Sequence, residues 1–314
     1  MTVSEADLEE HLARLSRRMG DRRAGLYGPG TVSWEVNREG VTMLGGGCAA
    51  LMQLAHPWVA HAVDQHSKTR ADPVGRFTRT FEHVFAMVFG DLDHALESAR
   101  RVHALHRTIR GAIHEDVGQF ARGDRYHAND EQALLWVHAT LIDTALRVFE
   151  LLVRPLSPLE REAYYTEAKL FGYLFGISDE VQPETFADFE RYYADTIASD
   201  VIAVGEPAAT MRRFLLAPPT PLHAPGVKWF EAFTAGLLPP KLREQFGFRW
   251  GRTERALFHR SIPVLRAAHR ATPGRLKYFP AYIEAKRRLA GQHPPDYVGR
   301  WLERTALRSL ERPA

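Results

Sequence analysis

Apolar residues recur at i, i+3, i+4 and i+7 through most of this chain and strict alternation is scarce, so the pattern predicts a nearly all-α protein. Helix punctuation divides it. Asp72-Pro73 opens a helix over Arg76–Phe89, Gly90 ends it, and Asp91 caps the next one, which runs to about Arg110 before Gly111. Asn129 is expected to cap a long apolar helix through Val153. Ser157-Pro158-Leu159-Glu160 has capping-box form and starts a helix to about Gly176. Further helices are expected near 184–199, 206–217, 241–246, 252–271, 274–289 and 297–311. The Pro-rich stretches Ala217–Pro225 and Leu237–Pro240 read as short connections, which gives one compact helical domain of about ten helices. Its expected parts are an amino-terminal helix within 1–24, a body over 25–290 and a basic carboxyl-terminal helix within 291–314 packed on that body.

From Val41 to Val63 there is no Asp, Glu, Lys or Arg, a run long enough for a membrane helix. Gly45-Gly46-Gly47, Gln53, His56-Pro57 and His61 interrupt it with residues that weaken a helix or are costly in lipid, so a buried core helix is expected there. The amino terminus mixes acids and bases with no apolar stretch behind its arginines, which predicts a cytoplasmic protein without an integral membrane span. At 314 residues, 45% hydrophobic and 25% charged, the composition is that of a soluble globular chain. Cys48 is the single cysteine, which excludes an internal disulfide, a multi-thiolate zinc site, an Fe–S cluster and covalent c-type haem. Net charge is +3, but from Lys241 onward 17 Lys/Arg stand against 6 Asp/Glu, leaving −8 for the rest. No nucleic-acid signature accompanies that basic segment, so its arginines read as solvated faces of amphipathic helices and nucleic acid is not an expected partner.

Ten of the 15 histidines lie between His56 and His138, several inside apolar helices, and this concentration is the chief chemical lead. Glu-x-x-His pairs, HExxH, GxxxxGK[ST], GxSxG and GxGxxG are all missing, which removes support for di-iron bundles, common zinc hydrolases, P-loop and dinucleotide enzymes and serine hydrolases. Non-covalent haem held by one histidine in an apolar crevice suits what remains. The alternatives are a non-haem metal held by His103, His106 and His138, a non-catalytic haem carrier or gas sensor, and a surface-binding protein working through its basic carboxyl-terminal helices.

An ordered set of short motifs resembles one family. It comprises His56-Pro57 with Gln65-His66-Ser67, then Asp72-Pro73-x-Gly75-Arg76-x-x-Arg79-Thr80, Phe89-Gly90, and His106 with Gly111. It continues through Trp136-Val-His138-Ala-Thr140, Tyr165-x-Glu167, Leu238-Pro239, Leu242-Arg243 and Phe246-Gly247. The family is that of the rubber oxygenase (latex-clearing protein) catalytic domain, shared with a fungal meroterpenoid-pathway oxygenase, and the resemblance runs from about residue 25 to 285. It implies a globin-like b-type haem (iron) protein that uses O₂ to cleave carbon–carbon double bonds of isoprenoid chains. Carried over by position, it implies His106 as the proximal iron ligand, Arg76 and Thr80 as catalytic residues of the haem-side helix, and His138 as a supporting pocket residue. His56 and Arg79 are expected to join them around the cofactor.

Physical reasoning fits those roles. Arg76, Arg79, Thr80 and His83 stand at i, i+3, i+4 and i+7, a polar stripe beside inward-packing Phe77, Phe81, Val84, Phe85 and Val88. His103 and His106 share a helix face, so by spacing alone either could reach iron. One departure matters: where characterised rubber oxygenases carry a lysine able to ligate the distal side, this chain has Arg79, which is always protonated and has no lone pair for a metal. With no match for the family's candidate catalytic acid and no secretion signal, the expected substrate is a small hydrophobic, isoprenoid-type metabolite used with O₂, not bulk polymer.

Overall fold

A computed structural model of the protein describes residues 1–67, 73–292, 296–297, 299–301 and 305, the side chains of 73–77 excepted. The chain is all-α save for one short hairpin among the described residues. Helix α1 (Glu5–Arg18) starts in a capping box between Ser4 and Asp7 and buries Leu8, Leu12 and Leu15, one stripe at i, i+4 and i+7. Helix α2 spans Val32–Arg38. The uncharged run at 41–63 is not one helix but three pieces: a 3₁₀ turn over Gly40–Gly45, α3 (Gly46–Leu54) and α4 (Pro57–His66). The break falls where proline removes a backbone donor, and His56 restarts the chain as the α4 N-cap, its Nδ1 accepting from the Trp58 N–H at 3.3 Å. No helix among the described residues is long and apolar enough to cross a membrane.

Helix α5 (Pro73–Phe89) pairs closely with α6 (Leu92–Arg107), which Asp91 caps as expected. α6 ends earlier than its pattern suggested because the chain turns into β1 (Arg110–Ala112), paired antiparallel with β2 (Arg125–His127) so that Gly111 faces Tyr126. Helix α7 (Glu131–Leu152) is capped by Asp130, whose carboxylate accepts from the Gln132 and Ala133 N–H groups, and not by Asn129. The Ser157–Glu160 capping box opens α8 (Pro158–Tyr173) as expected. There follow α9 (Phe186–Ala198), α10 (Glu206–Leu215), α11 (Ala224–Leu237), α12 (Pro240–Gln245), α13 (Arg252–Ala271), α14 (Gly274–Lys277) and α15 (Pro280–Leu289). Helices α2 and α11 were not expected, and the single helix expected at 274–289 is split by Pro280, so the described residues hold more helices than the ten anticipated. Most of the helix expected at 297–311 lies outside the described residues.

α7 is the spine. Its Trp136, Ile142, Leu146 and Phe149 pack with Met52 of α3, Tyr165 of α8, Phe189 of α9 and Phe233 of α11. Leu134 and Leu135, near its start, join a second cluster with Leu12 of α1, Met87 and Phe89 of α5, Leu92 of α6 and Tyr282 of α15. Trp136 is 1% exposed and donates Nε1–H to the Met52 carbonyl at 2.9 Å, so it is a core residue. The triple glycine serves helix packing: a Cβ at Gly47 would lie 2.6 Å from Thr234 Oγ1 and 2.9 Å from Phe230 Cζ on α11.

Candidate cofactor site

The inner stripe of α6 is Leu92, Ala95, Leu96 and Ala99, and His103 continues it into the interior at 5% exposure, while His106 sits half-buried at its margin. Both ring nitrogens of His103 and the Nδ1 of His106 are buried and have no hydrogen-bond partner among the described residues. Burial, with His103 and His127 nearby, pushes His106 down to about 4 against hydrogen bonding with the Asn129 side chain. His103 is lowered too, by burial and then by Arg107, with Glu5 and Asp7 opposing. At neutral pH both rings are uncharged and keep a lone pair. Both lie near His127, but their other neighbours differ: His103 meets Arg107 and the acids at the start of α1, whereas His106 meets the Asn129 amide.

Asn129 is the residue that sequence reasoning misassigned. Freed from capping α7, its Nδ2 donates to the His103 carbonyl at 3.2 Å, which leaves its side-chain carbonyl for the His106 ring. The amino-terminal arm covers it, the Val3 N–H donating to the Asn129 carbonyl at 2.9 Å, and Asn129 is 1% exposed. His127 Nδ1 accepts from the Asn129 N–H at 3.0 Å.

The hairpin ties this end of α6 to α4. Gln65 donates to the Ala112 carbonyl at 2.9 Å and accepts from the Tyr126 hydroxyl at 2.7 Å. That bond passes over Gly111, where a Cβ would lie 2.6 Å from Gln65 Oε1. His66 sets its ring edge-on to Tyr126, and His61 lies beside His114. The hairpin is thereby flanked by the histidines of α4, while His127 of β2 lies near His103 and His106 of α6. Sequence reasoning found the histidines and not the hairpin that gathers them.

The other expected residues have separate neighbours. His138 of α7 stacks on Phe171 with ring centroids 5.5 Å apart, and its Nε2 lies 3.0 Å from the Ala168 carbonyl. A carbonyl only accepts, so Nε2 carries the proton and Nδ1 holds a buried lone pair with no partner among the described residues. Burial pushes His138 down to about 4, and does the same to His56, which packs against Trp58 and Phe120. On α5, Arg79 and Thr80 are exposed, His83 lies 2.8 Å from Ser98 Oγ of α6, and the side chain of Arg76 is outside the described residues. Among the described residues no three or more His, Cys, Asp or Glu are placed to hold a metal ion by themselves.

Comparison with known proteins places these elements in one frame. Residues 34–267, from within α2 to within α13, match the model of the family described as ER-bound oxygenase mpaB/B′/rubber oxygenase, catalytic domain. Comparison with curated proteins and with solved structures gave no match.

Proposed function

The chain belongs to the mpaB/rubber oxygenase catalytic-domain family, and we propose that it is a b-type haem-dependent oxygenase that uses O₂ on a small hydrophobic, isoprenoid-type metabolite. The family supports the oxidative chemistry. The observation that supports haem is His106: a neutral imidazole at the end of α6 with a buried, unpartnered Nδ1 and an amide beside it. A macrocycle that brings four nitrogens asks the protein for one such donor, and the residues present fit that demand. Bound haem would supply O₂ activation at iron.

The chain's own residues supply the rest. His106 would hold the iron, and Asn129 would keep the ring proton on the nitrogen that does not ligate, fixing the tautomer as partners of metal-bound histidines do. His138, its Nε2–H committed to the Ala168 carbonyl, offers its Nδ1 lone pair as an acceptor in the apolar space between α7 and α8. Arg76 would pair with a propionate or orient substrate, and Thr80 would donate a hydrogen bond on the substrate side. Arg79 has no lone pair for iron, so it would leave that side accessible to small ligands.

The test is a pyridine-haemochrome assay on protein expressed with added haem precursor, with His106→Ala and His103→Ala alongside. About one haem b per chain is expected. His106→Ala should lose haem or shift the Soret band strongly while His103→Ala retains it, and the reverse would move the ligand one turn. Absence of iron with neither substitution mattering would overturn the haem reading. Oxygen consumption with terpenoid lipids separates an oxygenase from a carrier or sensor.

A further inference from the structure

We infer that α13, with the groove it forms against α11, is a docking surface for a bilayer bearing anionic phospholipid. The inference is independent of the haem proposal. α13 is anchored along one face only. Phe258 packs on Phe233 with ring centroids 5.4 Å apart, Arg266 Nε donates to the Leu151 carbonyl at 2.6 Å, and His269 Nε2 lies 2.8 Å from Glu39 Oε2. These positions, with partly buried Ile262 and Leu265, recur at i, i+4, i+7, i+8 and i+11, one side of the helix.

The opposite side should be polar in a helix that simply faces water. It is not: Val264 is 66% and Leu257 39% exposed, and Pro263 and Ala267 lie open beside them. Between α11 and α13 runs an open groove of about 630 Å³ whose walls include Trp229, Leu257, Val264 and Leu265, with Arg252 and Arg260 among them.

The charges on this helix are unmatched. It carries five arginines and one acid, Glu254, whose carboxylate is occupied by the Gly251 N–H at its own amino terminus. Arg252, Arg255 and Arg260 are exposed and have no carboxylate partner among the described residues. Arg255 adds to the positive field at Arg243. Exposed apolar side chains between unpaired arginines along 20 helical residues match the surface of an anionic membrane, which takes the apolar groups among its acyl chains and the guanidiniums at its headgroups. A nucleic acid would use the arginines and leave Val264 and Leu257 in water.

Co-sedimentation of the full-length protein with vesicles tests it. Wild-type protein should pellet with phosphatidylcholine vesicles containing phosphatidylglycerol, release at high salt, and stay in solution with phosphatidylcholine alone. R252Q/R260Q should lower the partition coefficient on the order of thirtyfold, R252K/R260K should leave it near wild type, and V264D should abolish pelleting at unchanged thermal stability. The inference fails if wild-type protein ignores anionic vesicles or if V264D pellets like wild type. It also fails if R252Q/R260Q does not weaken binding, or if a DNA duplex is bound with an affinity that V264D leaves intact.

Discussion

Acid should unfold this protein through histidines its interior keeps neutral. His56, His106 and His138 are each held at about 4 against an ordinary value of 6.5, with burial the leading cause in all three. Between those values the unfolded chain binds protons that the folded chain refuses, so stability is full above about pH 6.5 and is lost as pH falls towards 4. At pH 5 each site costs about 2 kcal/mol and the three together about 6 kcal/mol, comparable with the whole stability of an ordinary domain. The structure says what protonation would break. A proton on His56 Nδ1 removes the acceptor for the Trp58 N–H and sets a cation at the start of α4, where the helix dipole opposes it. A proton on His138 Nδ1 has no acceptor among the described residues. Urea denaturation followed by circular dichroism from pH 7.5 to 5 measures the slope. His56→Asn keeps an N-cap acceptor and His138→Gln keeps a donor for Ala168, so the double variant should fold and lose only about 2 kcal/mol over the same range. A wild-type midpoint that does not move between pH 7 and 5, or a double variant with the wild-type slope, would refute the reasoning.

Gly47→Ala pushes a methyl into Thr234 and Phe230 of α11, and since Thr234 is fully buried the helices must part; a loss of about 1–3 kcal/mol is expected in chemical denaturation. Asn129→Ala removes the partner of the His106 ring and should weaken haem retention about 10- to 100-fold with His106 still in place, read by haem transfer to apomyoglobin; unchanged retention would return Asn129 to a purely structural role.

What the sequence made legible was what local chemistry decides. The capping box at Ser157 and the cap at Asp91 are satisfied within three residues of themselves, so side-chain type and spacing suffice to read them. Asn129 and Asp130 are both good caps, and their choice was made by tertiary contacts: the amino-terminal arm and the His103 carbonyl take Asn129, leaving the cap to Asp130. α2 hid for a different reason: Thr31 caps it locally, accepting from the Trp34 N–H at 3.1 Å, but at seven residues it is too short for the helical period to show, and Glu167 of α8 supports its first turn by accepting from the Ser33 N–H at 2.6 Å. The hairpin escaped because its strands are three residues each, too short for alternation to show, and what holds them is Gln65 from another helix.

The histidine concentration was legible too, but its meaning turns on lone pairs that spacing does not disclose. A bare metal ion asks the protein for three or four donors converging at about 2 Å, and His106, His138 and His56 instead commit themselves to Asn129, Ala168 and Trp58. Those commitments look unhelpful for cooperative ligation. They are what single ligation requires, because each fixes one ring nitrogen and leaves the other defined, and a histidine that must bind alone gains most from having its tautomer set in advance. His103 lacks any such commitment: both of its nitrogens are unpartnered among the described residues and it faces the acids of α1, so nothing orients its ring towards iron. Between two histidines one turn apart, the better candidate is therefore the one whose proton already has a place to go.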